Sequence, residues 1–113
     1  MGTLLYGAAA RAHEFDDRTL AHLKYAITVK LLRHESFVVS WMHPPGVEGG
    51  RSTIWMSPAI PLEFIFDTPE PPELNREWVE QLLRAAGSLG GIQVSTEPPT
   101  PAENENGHRP DRA

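Results

Sequence analysis

A chain of 113 residues with a 40% hydrophobic fraction holds one domain around one modest core. Its formal net charge is −5, and the last eighteen residues carry four acids and two bases, which leaves −3 on the part before them. A mildly acidic body is a poor footing for a phosphate-backbone binder, and the absence of cysteine excludes disulfides, thiolate nucleophiles and cysteine-ligated zinc.

The opening "MGTLLYGAAARAHEF" has an apolar stretch but no basic leader, and no apolar run nears the roughly 20 residues of a membrane span. A cytoplasmic protein with no signal peptide and no membrane contact is the expectation. "TLLYG" (3–7) and "RAHEFD" (11–16), separated by small residues, predict a β-hairpin. Leu20, Leu23, Ile27 and Leu31 recur at helical spacing and predict a helix over 17–33. "SFVVSWM" (36–42) alternates and is rich in β-branched and aromatic residues, so it reads as a strand, and "HPPGVEGG" reads as a loop. "RSTIWMS" (51–57) and "IPLEFIFD" (60–67) predict two further strands, broken between by Pro58 and Pro61.

"TPEPPE" is a stiff connector, after which Asn75 caps a second helix running to Ala86, with Gly87 as its left-handed stop. "GIQVS" (91–95) is a last strand. From Thr96 onward there is almost nothing to bury, so 96–113 is expected to be a disordered tail on a domain spanning 1–95. The order β-β-α-β-β-β-α-β implies an α+β domain with a mainly antiparallel sheet and helices on one or both faces.

"HEFDDRTLAHL" (13–23) gathers two histidines and three carboxylates, and poses a choice between a reactive site and a helix start. Asp16 is a good cap, Asp17 suits the positive end of the helix dipole, and Phe15 and Leu20 stand at the positions of a hydrophobic staple. The second helix repeats the pattern with Leu74, Asn75 and Val79. A metal site would need converging ligands. Glu14 and Asp16 share one side of a strand that His13 leaves, and Arg18 lies one turn before His22, where its charge would repel a cation. There is no HExxH and no histidine pair at i, i+4. The helix start is the preferred reading, with no metal and no cofactor.

Other chemistry finds little support. "AGSLGG" lies at a helix end and not on a strand-turn-helix elbow, and "GVEGGR" lacks the G-K-[ST] of a phosphate loop. His43, exposed beside two prolines, and Arg51, at a strand start, are the candidates for gripping an anion or ligand, and no residue is assigned as catalytic. His34 is accounted for by the dipole at the end of the first helix. Trp41 and Trp55, on strands expected to be neighbours, are read as core rather than as a base-stacking platform, which would want interleaved basic residues.

The two helices differ in pattern. Trp78, Val79, Leu82, Leu83, Ala85 and Ala86 occupy one arc of the second, opposite Arg76, Glu77, Glu80 and Arg84. On the first, Tyr25, Val29 and Leu32 form a second apolar stripe nearly opposite the main one. Such a helix is either covered twice, by the second helix or the proline-rich connector, or awaits a partner. Tyr25, Val29 and Leu32 are the candidate partner-binding residues.

"MGTLLYG", "EFDDRTLAHL", "KLLRHESFVVSW", "GRSTIWMSPAIPL" and "LNREWVEQL" together resemble a family of small actinobacterial proteins of unknown function, over nearly all of the chain up to Pro98. "WMHPPGVEGG" departs from that family's form, which is more acidic before the glycines. Members often carry the label "ATP-dependent DNA ligase", and ligases of that kind take the adenylate on a lysine within K-x-D-G. Here the lysines are Lys24 in "LKYAI" and Lys30 in "VKLLR", and neither is followed by D-G. The resemblance therefore implies at most an accessory role beside a ligase or nucleic acid. The reading favoured on the residues themselves is a non-enzymatic interaction or accessory module, its partner an unidentified protein or a second copy of the chain, with nucleic acid disfavoured by charge.

Overall fold

The short β-type runs "GTLLY" and "RAHEF" flank a turn of small residues, and the hairpin forms there. Strand β1 (Gly2–Tyr6) pairs antiparallel with β2 (Arg11–Phe15), Gly2 facing Phe15 and Tyr6 facing Arg11. The computed structural model describes residues 1–99. Helix α1 (Asp17–Leu32) follows at once and buries Leu20, Leu23, Ala26 and Ile27. Its start rides close on β1, since a Cβ on Gly2 would come within 2.7 Å of Leu20 Cδ2.

Backbone geometry at His34 sets the end of α1. The Glu35 N–H donates to the Lys30 carbonyl (3.1 Å) and the His34 N–H to the Leu31 carbonyl (3.0 Å), with His34 at φ 59. This is the paired bonding of a Schellman stop, and His34 fills the left-handed position that glycine usually takes.

Strands β3 (Phe37–Met42) and β4 (Arg51–Met56) form the second antiparallel ladder, with Phe37 opposite Met56 and Met42 opposite Arg51. The chain then crosses at Pro58 and Pro61 to the other sheet, where β5 (Leu62–Ile65) pairs with β1. Helix α2 (Arg76–Ala86) leads to β6 (Ile92–Gln93), which runs parallel to β3. The α+β order is as read from the sequence, built as two three-stranded sheets, β2-β1-β5 and β4-β3-β6.

Gly87 is not the left-handed stop. It sits at φ −81, and α2 unwinds through i→i−3 bonds from Gly87 and Ser88 to Arg84 and Ala85. The left-handed residue comes later, at Gly91 (φ 69), where a Cβ would lie 2.3 Å from the Val38 carbonyl oxygen. Only glycine lets the chain press against β3 there.

The core draws Leu4 and Phe15 from one sheet, Phe37, Val39, Met56 and Ile92 from the other, and Trp78, Leu82 and Ala86 from α2 onto the buried face of α1. Trp41 joins it, with its ring 5.1 Å from both Phe15 and His13. Trp55 does not. Ile54 and Met56 point inward on β4, so period two turns Trp55 outward, where it is 51% exposed.

Candidate functional site

The starts of both helices and the end of the described chain meet in one polar junction. Asp16 caps α1 by accepting from the N–H groups of Arg18 (3.1 Å) and Thr19 (3.4 Å). Phe15 and Leu20, the two staple positions, are both buried in the core. Asp17 accepts from the Asp67 N–H (3.0 Å), and Asp67 in turn pairs with the Met1 ammonium. The carboxylates at this helix start serve the backbone.

His22, wholly buried on α1, donates from Nδ1 to the Arg18 carbonyl (2.7 Å) and accepts the Asn75 N–H at Nε2 (2.8 Å). Its ring stacks on Trp78 at 4.5 Å. Burial, aided by the Arg18 charge, holds its pKa below the ordinary value. A second proton would have to sit on Nε2 facing the Asn75 N–H, so the ring is fixed as the neutral Nδ1–H tautomer.

Asn75 spends its whole side chain. Oδ1 caps α2 by accepting from the Glu77 and Trp78 N–H groups, while Nδ2 donates to Glu97 Oε2 (3.0 Å) and to the Pro98 carbonyl (2.8 Å). Glu97 also takes a two-pronged pair from Arg18, Nε to Oε1 at 2.6 Å and Nη2 to Oε2 at 2.8 Å. The Arg18 contact, supported by the Asn75 bond, holds the Glu97 carboxyl down at about 2. Arg18 further donates to the Glu73 carbonyl (3.1 Å). The junction closes the fold.

Glu97 and Pro98 fall inside the segment expected to be a tail, and their bonds tie it to both helix starts. Residues 100–113 of that expected tail lie outside the described residues. Two signals for this junction stand in the sequence: Arg18 and His22 share an i, i+4 relation, and His22 sits within the buried arc of α1, where an imidazole needs partners.

Beside the junction, α1 and the proline-rich connector flank a cleft of about 610 Å³. Ala21, Lys24 and Tyr25 line it from the helix, Phe66, Pro72 and Leu74 from the other side. The Lys24 ammonium stands 5.8 Å from the centre of the Phe66 ring. Of the three partner-binding candidates, Tyr25 is half-exposed and enters the cleft. Val29 is half-buried and Leu32 is 76% exposed, and both lie further along the helix, outside the cleft lining.

The two ligand candidates stand in the β3–β4 loop region. His43 donates from Nδ1 to the Glu48 carbonyl (2.6 Å) and takes the Ser52 hydroxyl at Nε2 (2.7 Å), so both ring nitrogens brace the loop. Arg51 starts β4 opposite Met42 with an exposed side chain. His13 packs edge-on against Trp41, its pKa lowered by burial and then by the Arg11 and His43 charges, whereas Glu14 is exposed on the other face of β2. His13, Glu14 and His22 therefore do not converge. Among the described residues, no group of three or more His, Asp or Glu side chains is arranged to hold a metal ion, and no helix is long and apolar enough to cross a membrane. Lys30 pairs with Glu35 at 3.0 Å.

Comparison with known families matches residues 1–97 to the family described as Domain of unknown function (DUF7882). The matched span ends on Glu97, the carboxylate that closes the junction. No curated protein and no solved structure matches.

Proposed function

The chain belongs to this DUF7882 family, and from that premise we propose that it is a non-enzymatic interaction module that holds an extended apolar segment of a partner protein against α1. The observation that carries this reading is the half-exposed Tyr25 at the cleft between α1 and the connector. Tyr25, Phe66 and the prolines give it aromatic and apolar walls, and Lys24 and Thr28 add polar groups at its side. Burial of such walls favours association without any directional chemistry.

A protein segment suits the surface better than a small molecule does. Leu32 continues the apolar stripe seven residues beyond Tyr25, about 10 Å further along the helix. The footprint is thus longer than the cleft, as in groove recognition of a peptide. The bonds around Arg18, His22 and Asn75 spend the neighbouring polar groups on architecture. Association with a DNA ligase or with nucleic acid is the alternative, and its sole support is the family resemblance.

Panning a displayed peptide library on the immobilised domain tests the proposal. The expected result is enrichment of apolar sequences that bind in the micromolar range and lose tenfold or more against Tyr25→Arg and Leu32→Glu. Failure to enrich any sequence, or equal binding to both variants, overturns it.

A further inference from the structure

The β4 strand carries a partly free hydrogen-bonding edge whose pattern complements itself. Among the described residues, β4 of the sheet β4-β3-β6 pairs with β3 alone. The bond from the His43 N–H to the Gly50 carbonyl sets the alternation of the ladder, and places the N–H and C=O groups of Arg51, Thr53 and Trp55 on the side away from β3. Two of those six groups are taken within the chain. The Arg51 N–H donates to the Gly49 carbonyl (2.7 Å), and the Trp55 carbonyl accepts from the Tyr6 hydroxyl (2.6 Å). Among the described residues, the Arg51 carbonyl, the Thr53 N–H and carbonyl, and the Trp55 N–H take no other partner.

We propose that a second copy of this chain docks antiparallel on β4, about a two-fold axis through Thr53. This goes beyond the peptide-binding reading and uses a strand that the cleft does not touch. In that register Thr53 faces Thr53 of the other copy, and Arg51 faces Trp55. The Thr53 pair exchanges two hydrogen bonds, and each Trp55 N–H donates to the opposing Arg51 carbonyl. The two bonds missing from a complete ladder would need the Arg51 N–H and the Trp55 carbonyl, the same two groups already engaged internally. Free and occupied groups match this register on both sides of the axis.

Side chains agree with the backbone. Arg51, Thr53 and Trp55 share the outer face and are exposed. The axis sets each Arg51 guanidinium beside the indole of the other copy's Trp55, which gives two cation–π pairs. Registers that bring Arg51 opposite Arg51, or Trp55 opposite Trp55, lose both. Edge strands in single-chain proteins are commonly blunted by lysine, proline or inward charge. "RSTIWM" has none of these and instead presents Trp55 at 51% exposure, with Met42 of β3, opposite Arg51, at 76%. The docked pair is a continuous six-stranded sheet.

Sedimentation velocity on the full chain from 1 µM to 1 mM tests this, with concentrations chosen to span weak association. The wild type should shift from monomer to dimer across the range. Thr53→Pro removes the outward N–H, along with the hydroxyl that meets Ser40 Oγ at 2.7 Å, but no backbone bond to β3, and should abolish the dimer while far-ultraviolet circular dichroism stays native. Should proline unfold the strand, Trp55→Lys serves instead: it places a cation opposite Arg51 and should weaken the dimer at least tenfold, while the double variant Arg51→Glu, Trp55→Lys should restore it. A wild type that stays monomeric at 1 mM overturns the proposal. So does a dimer that Trp55→Lys leaves intact. Leu32→Glu should leave the dimer unchanged, which separates this interface from the α1 surface.

Discussion

Replacing Asn75 by serine should separate the two tasks of one side chain. A serine hydroxyl still accepts from the N–H groups that Asn75 Oδ1 caps in α2, but it cannot donate to Glu97 and Pro98 as Nδ2 does. A neutral hydrogen bond contributes about 1 kcal/mol net, and one to a carboxylate about 1.5–3 kcal/mol. The Glu97 side chain keeps 26% of its exposure, so water replaces part of the loss, and the serine variant should cost about 2 kcal/mol in all. Asn75→Ala also loses the cap, a further ~1 kcal/mol. Urea unfolding followed by tryptophan emission reads both, because Trp78 is 2% exposed beside this junction. With a slope of about 1.5 kcal/mol per M, the midpoint should fall by about 1.3 M for serine and about 2 M for alanine. Asn75→Asp should fall below serine, since it sets a second carboxylate against Glu97. A serine variant within about 0.3 M of wild type would show that the Glu97 and Pro98 contacts add nothing to stability.

Acid should destabilise the domain in two stages. His22 and His13 have folded pKa values below the ordinary 6.5, so below that pH the unfolded chain binds protons that the folded one refuses, and stability falls. Glu97, held at about 2 against an ordinary 4.5, adds stability that is complete above 4.5 and is lost as pH falls toward 2. A urea midpoint equal at pH 7.5 and pH 5.5 would contradict the first stage. His34→Gly should raise stability by about 0.5–1 kcal/mol, because it relieves a left-handed φ of 59, and a thermal melt should rise by about 2–6 °C. Gly91→Ala should cost about 3 kcal/mol or more, or prevent folding, because its Cβ would meet the Val38 carbonyl at 2.3 Å. A melt within about 3 °C of wild type would refute that account.

Local patterns made the elements legible, and nonlocal ones hid their arrangement. The β-type run "TLLYG", two-residue alternation in "SFVVSWM", and 3.6-residue spacing from Leu20 to Leu31 are properties of the neighbouring chain. The parallel β3–β6 pair is not. It depends on Gly91 accepting close contact with Val38, and on a two-residue strand too short to carry a pattern. Trp55 shows the difference well. Its aromatic character suggests core, yet its parity with Ile54 and Met56 sends it outward, and parity was readable in "RSTIWM". His34 is a left-handed stop for α1 and Gly87 is not one for α2, because helix termination follows backbone angles that side-chain type only biases. At the candidate site, the second stripe marked Tyr25. The cleft beside it also needs the connector to fold back, and Glu97 needed a partner seventy-nine residues away.

That distance shapes how the protein is born. Arg18 is synthesised 79 residues before its carboxylate, an interval of about 4–16 s at 5–20 residues per second. Meanwhile β1 must also wait for β5 to complete its sheet. Nascent chains should therefore gain their final resistance to proteases only when residue 97 has cleared the exit tunnel, and synthesis stalled short of that point should leave the paired helices open to attack.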